Sequence, residues 1–190
     1  MILLISSVIF GIISGFFINI EIPESLITIL LMMLVFSVGV DIGSEERVLY
    51  KIKSSLKVIF IQSFLVILGS LIFGGFVSFF TQLTFKEALG ASAGMGWYSL
   101  SGVMISSLYS PFLGAVAFLS NVIREVLSII LIPIYSKFSE NGAIGIAGAP
   151  SMDTLLGVVS KSVRKDKILL SFGQGVILSI IIPFLITIIF

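Results

Sequence analysis

Apolar residues run in seven stretches separated by short polar breaks, at about 2–18, 25–41, 56–80, 88–108, 111–135, 143–160 and 168–190. About 20 apolar residues carry a helix across the hydrocarbon core of a bilayer. The pattern therefore predicts an all-α integral membrane protein with about seven spans. Pro23, with Asn19, Glu21 and Glu24 around it, marks a polar turn between spans 1 and 2. Pro111 opens span 5, where the first amide of a helix needs no internal acceptor. Pro133 and Pro183 fall inside spans and are expected to kink them or to lie near their ends. Residues 1–20 lack a basic leading region, and no small-x-small site precedes Asn19, so they read as the first span and not as a cleaved signal.

Spans 4 and 6 break the pattern. Gly90-Ala-Ser-Ala-Gly-Met-Gly-Trp-Tyr-Ser99 and Gly145-Ile-Ala-Gly-Ala-Pro-Ser-Met-Asp153 are poor continuous helices, and both are expected to be broken or re-entrant. With an offset of 55 the two regions match at Ala88/Ala143, Gly90/Gly145, Leu100/Leu155, Gly102/Gly157 and Val103/Val158, which points to an internal repeat. Paired, Gly/Pro-interrupted hydrophobic segments are the sequence mark of a transporter's midplane site. An unwound helix inside a membrane frees amides and carbonyls that need protein, water or ligand as partners. Close packing through small residues is the competing reading of the same composition. Pro150, followed by Ser151 and Asp153, favours the break in span 6, with Ser151 as a cap for a new helix start.

Composition narrows the class. Apolar residues make up 57% of the chain and charged ones 11%, against about 25% charged in a soluble domain; mean hydropathy is +1.23. With 190 residues the chain forms one transmembrane transport domain, and a net charge of +1 offers no basic face to nucleic acid. There is no cysteine and no histidine, which removes disulfides, thiol and imidazole chemistry and the usual transition-metal ligands. No metal and no cofactor are expected. Asp, Glu, Lys and Tyr remain to handle protons.

Eight of the eleven basic residues lie in two loops: Arg47, Lys51, Lys53 and Lys57 after span 2, and Lys161, Arg164, Lys165 and Lys167 after span 6. Basic loops stay in the cytoplasm, which sets the N-terminus inside and the C-terminus outside. Four intervening spans keep the two loops on one side, and so does making both spans 4 and 6 re-entrant.

Arg124 and Glu125 lie near the middle of span 5, where a charge costs at least roughly 2.5–3.5 kcal/mol. Such residues read first as a pathway for an ion or solute. Glu125, with Asn121 one turn earlier on the same face, can bind a proton and a cation in alternation. Arg124 points about 100° away and is expected to pair with another acid, holding the bundle together. Asp153 follows the break in span 6, either lining it or stabilised in the first turn of a half-helix. Asp41 ends span 2 and can reach the interface. Trp97 and Tyr98 lie deep in span 4, suited to stacking on a cation or to gating. Asn121 and Gln174 also serve as interhelical glue.

The pieces Gly94-Met-Gly-Trp-Tyr-Ser-Leu-Ser-Gly102, Asn121-Val-Ile-Arg-Glu125, Gly148-Ala-Pro-Ser-Met-Asp-Thr154 and Val38-Gly-Val-Asp-Ile-Gly43 together resemble the lysine exporter (LysO-like) family of prokaryotic inner-membrane proteins. The resemblance implies export of L-lysine and of analogues such as thialysine. It also implies a fold of the cation–proton antiporter and bile-acid symporter type, with crossed, broken helices, and functional acids at Glu125 and Asp153. Single-chain members of the family are longer, which implies a homodimer or a small separately encoded membrane subunit.

The reading is a secondary transporter exchanging lysine for protons in the lipid of the inner membrane. Glu125 and Asp153 bind substrate ammonium or protons, Trp97, Tyr98, Ser99 and Asn121 shape the site, and Arg124, Asp41 and Ser151 support it. An antiporter or channel for a small inorganic cation is the alternative. An aspartyl intramembrane protease built on Asp41 and Asp153 fits poorly, because Asp41 belongs near the interface and an acid pair must share a proton. A subunit without transport of its own is the remaining reading.

Overall fold

The computed structural model describes residues 23–44 and 48–190, together with positions 6, 10, 11, 13–15 and 17. Most of span 1 and Arg47 lie outside the described residues, as do the side chains of Asp41 and of residues 48–52. Among the described residues every regular element is helical: α1 (Glu24–Gly43), α2 (Val48–Phe76), α3 (Phe85–Ser92), α4 (Tyr98–Leu108), α5 (Pro111–Tyr135), α6 (Glu140–Ala147), α7 (Leu156–Ser160) and α8 (Ile168–Ile189). Short 3-10 turns cover Val77–Phe79, Ala149–Met152 and Lys165–Lys167. Among the described residues three segments are long and apolar enough to cross a membrane: Lys53–Phe79, Pro111–Tyr135 and Lys165–Ile189.

The start of α5 follows its local chemistry. The Ser110 hydroxyl accepts from the Leu113 amide, and Pro111 occupies the first turn, where its missing N–H costs nothing. Pro133 falls in the last turn of α5, close to where the helix stops.

Spans 4 and 6 each turn back on themselves. At one end of the molecule the Tyr109 hydroxyl, just past α4, donates to Glu87 at the start of α3 (3.1 Å). The Tyr109 and Phe190 rings stack at 4.8 Å between centroids, which brings the end of α8 to the same place. At the other end Arg164, beyond α7, pairs with Glu140 at the start of α6 (3.0 Å). Gln62 of α2 donates to the Asn141 carbonyl there. Residues 85–109 thus form one hairpin, A, and residues 140–164 a second, B. Their bases lie at opposite ends of α5, whose 25 residues extend ~38 Å. An eight-residue helix reaches only ~12 Å, so α3 and α6 stop near mid-depth, where the chain reverses. The two tips meet there. Their contact is a hydrogen bond from the Ala149 amide to the Met95 carbonyl (3.0 Å).

The offset of 55 acquires a structural meaning. A long helix plus a hairpin, α2 with A, is followed by another, α5 with B, running in the opposite direction. Met95, Ile105, Leu113, Ala117 and Leu178 form a buried cluster around hairpin A. Ile132, Ile144, Leu155 and Val159 form a second one around hairpin B.

Candidate functional site

Both tips need the backbone to leave the helical region. Gly96 (φ 98°) and Gly148 (φ 64°) supply positive φ, and Met95 (φ 45°) is the non-glycine residue there. A Cβ on Gly148 would fall 2.3 Å from the Met95 carbonyl oxygen, so the meeting of the tips demands glycine. Each tip frees backbone groups far from water, and each is stitched by one amide side chain from the long helix that follows it. Asn121 of α5 accepts from the Gly96 amide (2.7 Å) and donates to the Ala91 and Ala117 carbonyls (3.1 and 2.8 Å). Gln174 of α8 donates to the Ile144 and Gly148 carbonyls (3.0 and 3.2 Å).

A cavity of about 200 Å³ opens where the tips meet. The start of α4 contributes Trp97, Tyr98 and Ser99; α5 contributes Glu125; tip B contributes Asp153 and Thr154; α8 contributes Ser179. Among the described residues no lysine or arginine lines it. The Thr154 hydroxyl donates to Glu125 Oε1 (2.5 Å) and lies 3.5 Å from Asp153 Oδ1, while the Thr154 amide donates to that same Asp153 oxygen (2.6 Å). Glu125 Oε2 is buried and, among the described residues, has no hydrogen-bond partner. Tyr98 is held edge-on against Phe118, with ring centroids 5.5 Å apart. Among the described residues no cation faces the two carboxylates, so the pocket can receive a positively charged guest, whose alkyl part or charge the aromatic wall can flank. Among the described residues no three His, Cys, Asp or Glu side chains converge as they would around a metal.

The expected site residues separate into groups. Glu125, Asp153, Trp97, Tyr98 and Ser99 share the cavity. Asn121 does not line it, because its amide is committed to tip A. Arg124 faces away as its helical position predicts, but its partner is not an acid. It donates to Ser70 Oγ (3.3 Å) and lines a second cavity of about 390 Å³ between α2, α3 and α5. Among the described residues no carboxylate pairs with it. Ser151 does not cap a helix start. It is buried and exchanges hydrogen bonds with Ser171, each hydroxyl donating to the other's carbonyl (2.9 and 2.8 Å). The break in span 6 continues past it, and α7 begins at Leu156 without a side-chain cap. Asp41 lies in α1, and its side chain is outside the described residues.

Thr154 and Ser179 were not singled out by sequence reasoning. Thr154 did stand in the sequence as a hydroxyl directly after the acid of the break; nothing local marked Ser179, which reaches the cavity only through the packing of α8.

The profile of the family described as Lysine exporter LysO matches residues 5–190. The Escherichia coli (strain K12) protein named Lysine exporter LysO is 34% identical over 156 residues, which cover 82% of this chain and 52% of that one. The chain therefore spans about half the length of that relative. A second relative, from Haemophilus influenzae (strain ATCC 51907 / DSM 11121 / KW20 / Rd), is 31% identical over 175 residues, covering 90% of this chain and 89% of its own. No solved structure matches the chain. With the family profile over nearly the whole sequence and three segments fit to cross a bilayer, this chain is a multi-pass membrane protein that belongs to the lysine exporter LysO family.

Proposed function

We propose that the protein is a secondary transporter that exports L-lysine from the cytoplasm in exchange for protons. The observation that carries this reading is the convergence of Glu125 and Asp153 on one mid-depth cavity with no basic residue in its wall. The two acids hold a lysine ammonium group when ionised and release it when a proton arrives. Trp97 and Tyr98 flank the alkyl chain, and Ser99 offers a hydroxyl. Family membership supports lysine as the substrate, and analogues that keep the ammonium group, such as thialysine, follow by the same chemistry. One proton exchanged for one monovalent lysine is electroneutral, so the pH gradient drives export and the membrane potential does not.

The base of hairpin B carries Lys161, Arg164, Lys165 and Lys167 and faces the cytoplasm by the positive-inside rule, in the inner membrane of a prokaryote. Hairpin A then enters from outside, and each tip can gate the site from its own side. Interrupted helices placed around a midplane site are the feature that supports kinship with cation–proton antiporters and bile-acid symporters. The exposed apolar face of α2, with Phe60, Phe64 and Phe73, is open to lipid, a second copy or a small membrane subunit.

The test is lysine efflux from loaded vesicles into a more acidic medium. Efflux that ignores the pH gradient, or that survives both Glu125→Gln and Asp153→Asn, sinks the proposal. Thermal stabilisation by lysine but not by sodium or potassium separates it from inorganic-cation antiport.

A further inference from the structure

We infer that Thr154 is the positioning residue that makes Glu125 and Asp153 respond to one another, by giving its single hydroxyl hydrogen to one carboxylate or the other. The inference deepens the transport reading above and rests on it. A threonine hydroxyl has one hydrogen to donate and two lone pairs to accept with, whereas an ionised carboxylate only accepts. In the structure that hydrogen is directed to Glu125 Oε1 (2.5 Å), and Asp153 Oδ1 waits 3.5 Å from the same oxygen. Both carboxylates cannot have it at once.

A proton landing on Glu125 turns that acid into a donor. Its O–H can then donate to Thr154 Oγ, and the Thr154 hydrogen swings to Asp153 Oδ1. No proton leaves the threonine. One proton is gained by Glu125, and one hydrogen bond passes from Glu125 to Asp153. Proton arrival is thereby felt at the second acid, which tightens its hold on the hydroxyl as the cavity loses one negative charge and the cation is released. Among the described residues, the titratable groups facing the pair are each other and Tyr98, from the start of α4. The face from α8 contributes the neutral Ser179, and Arg124 is turned into the other cavity.

Thr154→Val keeps the shape and deletes the hydroxyl, while Thr154→Ser restores it. The full chain is reconstituted in vesicles and assayed twice, for lysine–lysine exchange across equal pH and for lysine movement driven by a pH gradient. The expected result is exchange within about threefold of wild type for Thr154→Val, but gradient-driven movement lowered by tenfold or more, each tenfold being about 1.4 kcal/mol of coupling. Thr154→Ser should keep both. A Thr154→Val variant that keeps gradient-driven movement, or that loses exchange in equal measure, overturns the inference.

A second measurement needs no substrate. Trp97, the single tryptophan, lines the cavity, so its fluorescence reports the pH titration of the site. Asp153→Asn should shift the midpoint of that titration in the wild-type and Thr154→Ser backgrounds, and by less than half as much in Thr154→Val. Equal shifts in all three reject the relay. If the wild-type protein moves no lysine at all, the lysine reading fails, and the titration alone still decides the role of Thr154.

Discussion

Tip A and tip B are built alike and equipped differently. In each, a short helix stops near mid-depth, a glycine takes a positive φ, and an amide from the next long helix takes up the freed backbone groups. The offset that aligns the hairpins sets Tyr98 against Asp153 and Ser99 against Thr154. One tip offers an aromatic and a small hydroxyl to the cavity, the other an acid and the hydroxyl that bridges it to Glu125. The scaffold problem, unpaired backbone in a membrane, has one solution used twice. The charge that makes a site is then placed on one copy only.

That comparison can be broken at its scaffold first. Gly148→Ala forces a Cβ into the Met95 carbonyl at positive φ, and a loss of more than ~3 kcal/mol is expected, seen as absent folded protein or a collapsed melting temperature in detergent. Gly39→Ala, with nothing within 4 Å of the added carbon, is the control and should melt like wild type.

The chemical difference between the tips comes next. Glu125→Gln and Asp153→Asn should each lower lysine efflux by about 100-fold, equivalent to ~3 kcal/mol, with a melting temperature near wild type. Tyr98→Phe, on the uncharged tip, should lower it by less than about tenfold. Equal losses from both tips would contradict the asymmetry.

The two stitches are the third test. Asn121→Ala orphans the Gly96 amide as well as carbonyls, and a cost of about 2–4 kcal/mol is expected. Gln174→Ala leaves only carbonyls short of a partner and should cost about 1–2 kcal/mol. Chemical denaturation in mild detergent ranks them.

The smallest effect lies at the base of hairpin B. The Arg164 amide and guanidinium hold the Glu140 carboxyl below its ordinary value of 4.5. A depressed folded-state value contributes stability that is complete above the unfolded value and disappears as pH falls through the folded one. The clasp should therefore be indifferent to pH from neutrality down to about 5 and should loosen only in more acid solution. Glu140→Gln should remove that acid-side difference in melting temperature, and because Arg164 is exposed and Glu140 partly so, salt should weaken the pair.

Much of the site was legible because its physics is local. Glu125 is costly wherever its helix packs, Gly-rich runs with Pro150 cannot stay helical, and Asp153 follows such a run directly. A buried guanidinium usually has an acid partner, and the helical angle that turns Arg124 from Glu125 cannot say that Ser70 stands on the other side. Ser151 looked like a cap because it follows a proline in a break, yet its partner is Ser171 on a helix twenty residues away in sequence.

By itself the amino-acid order determined that this chain enters lipid, where its helices break and which acids are costly there, since desolvation and backbone pairing act on each segment alone. Only the tertiary structure decided that the two broken segments turn back, because the clasps that close them join Glu87 to Tyr109 and Glu140 to Arg164 across more than twenty residues. It also decided that Thr154 stands between the two carboxylates, a relation made by the packing of tip B on α5 and by nothing in either segment separately.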